Sequence, residues 1–131
     1  MGQVLDGVNH HLDRVYGSGD PATLYVAVMF SAPRFLDKGA DLDEPTGGAY
    51  ARVAVTNDVN HWGPAAQGIK TNSLDILFPT ATANWGTLRQ WAICDAATAG
   101  KIITWGNMPQ RLIVEGATLR FVRDELAITA R

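Results

Sequence analysis

Three histidines, one cysteine, four tryptophans and thirteen acidic side chains are the groups in this 131-residue chain that could do chemistry. His10 and His11 are adjacent, so on a helix they point about 100° apart and cannot clamp one metal ion as a spaced pair would. No zinc site is expected. Cys94 is the single cysteine, which rules out an internal disulfide, and it reads as a small buried hydrophobe rather than a nucleophile. No G-x-S-x-G elbow is present, and Gly47-Gly48 is not followed by the Lys-Ser/Thr of a phosphate loop. The acids of Asp41-Leu42-Asp43-Glu44-Pro45 lack the ligand spacing and turn glycine of a calcium loop, and read as a solvated acidic loop. A carboxylate pair for glycoside cleavage could be brought together only in space, so the sequence assigns none. No catalytic, metal or cofactor-binding residue is assigned, no cofactor is implied, and no enzyme is expected.

Binding is a different matter. Trp62 lies beside Asn60 and His61 in a polar loop, and an exposed indole there could stack on the apolar face of a sugar. Asn60, His61 and Trp62 are therefore a candidate ligand loop for a host surface glycan. The competing reading is that Trp62 caps one end of the fold, and that Trp85, Trp91 and Trp105 divide between core and interface, where an indole buries a large area and keeps one polar handle. Charge points nowhere in particular. With 11 basic and 13 acidic residues, the chain has no electrostatic reason to bind nucleic acid or an anionic membrane. No apolar run approaches the roughly 20 residues a membrane span needs, and no secretion signal is expected at the N-terminus.

These groups must be positioned by mostly β elements. The exception is Gln3–Tyr16, where Val4, Leu5, Val8, Leu12 and Val15 recur at helical spacing and make one apolar stripe. Gly17-Ser18-Gly19-Asp20-Pro21 ends it. The stripe either packs on the chain's own sheet or forms an assembly interface with a neighbour. The domain division expected is an amphipathic docking helix over 1–19 and a β-sandwich over 20–131. Thr23–Phe30 is β-branched, aromatic and apolar on both faces, as in a central covered strand. Ala49–Val55 is a second strand, whose Arg52 should pair with a loop carboxylate or reach another chain. Ser31–Gly48 and Thr56–Thr71 are long loops. The stretch Leu74–Asp95 organises the rest: a short strand to Phe78, a turn begun by Pro79, and a strand with Leu88, Gln90, Ala92 and Cys94 on one face and Arg89, Trp91 and Ile93 on the other. Lys101–Trp105 and Arg111–Val114 follow as separate strands, parted by Gly106-Asn107-Met108-Pro109. Thr118–Val122 and Leu126–Thr129 close the chain as a pair. Seven or eight strands at this spacing predict a mainly β fold, an antiparallel sandwich of jelly-roll type.

Several stretches resemble, in order, a family of small tailed-bacteriophage structural proteins described as tail-fibre-like or minor tail proteins. They are Val15-Tyr16-Gly17, Ala22–Ala27 leading to Ser31-Ala32-Pro33, and Gly48–Val55. The most specific is Phe78–Thr87 (FPTATANWGT), followed by Trp91-Ala92-Ile93, Trp105-Gly106 and Gly116–Phe121. Arg34-Phe35-Leu36 and the acids Asp41–Glu44 depart from a loop that is Gly-rich in the family. Cys94 stands where an aromatic is common. The resemblance implies a non-enzymatic virion component of the tail, neck or collar, assembled in the host cytoplasm with other virion proteins, and a homo-oligomer, for which a trimer is the guess. A capsid decoration protein is the alternative position.

Overall fold

The computed structural model describes Tyr16, residues 22–66 and residues 69–129. The expected helix, with Val4, Leu5, Val8, Leu12 and Val15, lies outside the described residues, as do His10 and His11. What is described is mainly β, with eight strands: β1 (Thr23–Met29), β2 (Val53–Thr56), β3 (Ile69–Thr71), β4 (Ile76–Leu77), β5 (Gly86–Cys94), β6 (Ile102–Ile113), β7 (Arg120–Phe121) and β8 (Ala127–Thr129). A single 3-10 turn, Gly39–Asp41, interrupts the first long loop. The chain divides into two compact units, one made of Leu24–Ala54 and Leu77–Arg120, the other containing Val55–Ile76 and Phe121 onward.

In the first unit, the sheet runs in the order β2-β1-β5-β6, with β1 and β5 antiparallel in the centre. That placement explains the composition of both strands. Val26, Ala27, Val28 and Met29 of β1, and Trp91, Ala92, Ile93 and Cys94 of β5, are all buried, so each strand is covered on both faces. Ala27, Met29, Ala92 and Cys94 form a small cluster capped by Leu42 and Ile102. Cys94 is thus the buried hydrophobe its sequence suggested, and burial pushes its thiol up to about 11.

Three boundaries differ from the sequence reading. β6 is one strand through Gly106-Asn107-Met108-Pro109, not two. It lies at the sheet's edge, and the register slips between Leu88 and Gln90, so the donor missing at Pro109 falls in an irregularity rather than a ladder. Gly106 is needed there, because a Cβ would stand 2.5 Å from the Trp91 ring. β2 begins only at Val53, since Gly47, Gly48 and Ala49 all have positive φ and hold a turn closed by Tyr50 N–H donating to Gly47 O at 3.1 Å. Finally, β7 and β8 do not pair with each other. β8 pairs with β3, inside what reads as loop, and β7 with β4. The reason is Asn72, described below.

Candidate functional site

The predicted ligand loop folds around a carboxylate. Asp58 Oδ1 accepts the backbone N–H groups of Asn60 (3.1 Å) and His61 (3.0 Å) and meets His61 Nδ1 at 2.6 Å. Asp and Asn favour such turns because a short side-chain oxygen can replace a backbone acceptor. The His61 hydrogen bond holds the Asp58 carboxyl below the usual range. Asn60 is exposed and His61 half-buried, but Trp62 has no exposed surface at all. Its ring lies 6.0 Å from that of Tyr16, tilted by 52°. Sugar stacking needs an open indole face, so Trp62 is not a stacking platform in this conformation. It is core. Its Nε1–H is buried and finds no hydrogen-bond partner among the described residues, a local cost of about 1–3 kcal/mol set against a large apolar burial.

Next to that loop in the fold is a residue the sequence did not single out. Asn72 is fully buried and bridges to Trp62. Its Nδ2 donates to Leu74 O (2.8 Å) and Val122 O (3.0 Å), and its Oδ1 accepts Leu126 N–H (3.0 Å). Its own carbonyl accepts Asp124 N–H at 2.9 Å. One amide therefore fills the gap between residues 122 and 126 that a hairpin ladder would otherwise close, which is why the last two strands look elsewhere for partners. Nothing in the local pattern marks it, because Val122, Asp124 and Leu126 lie about 50 residues away.

The other unit holds a charged counterpart. Arg52, expected to find a loop carboxylate, pairs with Glu44: its Nη2 lies 2.7 Å from Oε1, with side chains 3% and 16% exposed. The guanidinium also donates to Gly39 O, Ala96 O and Ala99 O, each at 2.9 Å. The Tyr50 hydroxyl donates to Glu44 Oε2 and accepts Val28 N–H at 3.2 Å, so a phenol oxygen stands in for a strand carbonyl beside β1. Burial first, and then the Glu44 bond, raise the Tyr50 pKa. Glu44 therefore corrects the picture of a solvated acidic loop. The other acids there are also engaged: Asp37 caps Arg34 N–H (2.7 Å), Asp41 caps Lys38 N–H (2.9 Å), and Asp43 accepts the Ser31 hydroxyl (2.9 Å). All these bonds are local to one unit. They fix loops.

What the same loop leaves outside is apolar. Phe35 and Leu36 sit at the tip of its Arg34–Asp37 turn, 99% and 84% exposed. Trp105, Leu112 and Val114 are exposed on or beside edge strand β6. The arrangement can bind surfaces.

No curated protein matches the chain. A family model described as Podophage GP4 fiber I protein gp80 matches residues 7–129, nearly the whole length and every strand. The resemblance read from Phe78–Thr87 and its neighbours is therefore to a phage fibre family, and the chain belongs to the podophage GP4 fiber I protein gp80 family.

Proposed function

We propose that this phage fibre-family protein is a non-enzymatic structural part of a tailed-phage particle that assembles through apolar surfaces with itself and with neighbouring virion proteins. The family match carries the reading. The polar chemistry of both units supports it, since Arg52, Glu44, Tyr50 and Asn72 are all engaged in fixing the chain rather than facing a substrate. The near balance of charge makes buried apolar area the source of affinity. Within this reading, the β strands form a sandwich of jelly-roll type, and the segment 1–19 is a docking helix that lays Val4, Leu5, Val8, Leu12 and Val15 on a neighbour. Assembly takes place in the host cytoplasm. The particle position follows the family name, at a fibre, rather than a capsid-decorating site.

The test is mass spectrometry and immunogold microscopy of purified particles. Stoichiometric presence with label at the tail supports the proposal; label over the capsid shell favours decoration; absence from washed particles defeats both. A glycan-binding role would have to work through Asn60 and His61 without indole stacking. Glycan binding that survives Trp62→Phe but is lost in an Asn60→Ala/His61→Ala variant would establish it.

A further inference from the structure

The first long loop rests on the four-stranded sheet by few ties, and from this we infer that residues 32–42 are a hinged flap, which lifts as a piece while the strands beneath stay folded. Loop and sheet belong to the same compact unit. The hinge is a closed neck. Phe30 N–H donates to Asp43 O (3.0 Å) and the Ser31 hydroxyl to Asp43 Oδ2 (2.9 Å), which brings the two ends of the loop together as in an Ω-loop. Behind the neck, Glu44 pairs with Arg52 at 2.7 Å, so the chain on that side is anchored whether the flap is down or up. Within the flap, residues bond to one another. Asp37 N–H donates to Arg34 O (3.0 Å) and Arg34 N–H to Asp37 Oδ2 (2.7 Å), closing one turn. Asp41 N–H donates to Lys38 O (2.9 Å) and Lys38 N–H to Asp41 Oδ2 (2.9 Å), closing the next. Bonds of this kind move with the flap and are kept when it opens.

Little holds the flap down. Among the described residues its polar ties beyond the neck both fall on Gly39, whose N–H donates to Gly100 O (3.0 Å) and whose carbonyl accepts an Arg52 N–H (2.9 Å). Its apolar tie is Leu42, which packs on Ala27, Met29, Ala92 and Cys94. The largest apolar side chains of the flap, Phe35 and Leu36, are 99% and 84% exposed and add no packing. A segment held this sparsely belongs at the low-stability end of a fold, where opening is local rather than global. The strands beneath, β1 and β5, are central and paired on both sides, so they outlast it. Lifting Leu42 uncovers an apolar patch and the Cys94 thiol, both buried in the closed form. Gly39 sets how closely the flap lies, because a Cβ there would stand 2.0 Å from Ala99 O.

Cys94, the single cysteine, reads out opening in the 131-residue chain. Its thiolate attacks an aromatic disulfide such as dithiobis(nitrobenzoate), forming a mixed disulfide and releasing one coloured thiolate, while the thiol proton passes to buffer. Labelling of the wild type should proceed in native buffer at a rate almost independent of low urea, because a flap exposes little surface. The rate should turn steep only near the unfolding midpoint. Gly39→Ala, which wedges the flap, and Leu42→Ala, which removes its apolar tie, should each speed labelling at least about fivefold. Ile113→Val, in the core at the opposite end of β6 from Ile102, should leave the rate in native buffer unchanged although it lowers global stability. Were access to need unfolding of the whole unit, that variant would instead speed labelling about fivefold. Circular dichroism checks that each variant is folded. A thiol silent below the unfolding transition overturns the inference. So does a rate that climbs with urea from the start, one that follows Ile113→Val, or one indifferent to both flap variants.

Discussion

The two compact units solve one problem, holding long loops without a long ladder, with opposite chemistry. In one, an ion pair does it: Arg52 and Glu44, with Tyr50 as a third member, gather three loop carbonyls. In the other, a neutral amide does it, with Asn72 satisfying two carbonyls and one N–H. The charged solution reaches more groups, because a guanidinium presents five donors in a rigid fork. It also carries desolvation that must be offset at every pH, whereas the amide has no protonation state to lose. These units should therefore fail under different conditions.

The sharpest way to break it is Arg52→Met. Removing the cation strands Glu44 beside a phenol and should cost about 3–5 kcal/mol, read by urea unfolding. Asn72→Ala should cost less, about 2–3 kcal/mol, because it orphans the Leu126 N–H and takes a donor from Leu74 O and Val122 O, the latter still accepting Glu125 N–H, and it strands no charge. Should Asn72→Ala prove the more damaging of the two, the contrast between ionic and neutral bracing is wrong.

Tyr50→Phe is smaller again, about 1–2 kcal/mol at neutral pH for a hydrogen bond to a carboxylate. Its signature is at the alkaline end. A phenol whose pKa is raised on folding gives stability that is full below its unfolded value near 10 and lost as pH climbs above it. Alkaline unfolding should therefore flatten in Tyr50→Phe. The smallest effect belongs to Asp58→Asn, and the pH change that reveals it lies at the acid end. The Asp58 carboxyl is depressed by His61, so its contribution is full above about pH 4 and fades as pH falls through the lowered value. Stability read by urea unfolding should fall less between neutral and strongly acidic pH for Asp58→Asn, and should lie below that of the wild type by a constant amount at higher pH.

Much of the fold was legible because it depends on local pattern. β1 and β5 are apolar on both faces, and both are central. Cys94 among small and apolar neighbours is buried, and Arg52 near a cluster of acids finds one. The failures share a cause. Pro109 argues for a break until the sheet shows it at an edge irregularity. β7 and β8 look like a hairpin until Asn72 enters from 50 residues upstream. Trp62 beside polar residues is open to both an exposed and a capping reading until its packing is known.

The strand-forming segments and the family were readable before folding, since each rests on residue types at short separations. Which carboxylate Arg52 takes, that Asn72 replaces a ladder, and that Phe35 and Leu36 face outward follow from long-range packing. Partner choice across tens of residues depends on where the whole chain brings donors and acceptors together, and burial depends on everything packed around a side chain. Neither is a property of the local run of residues.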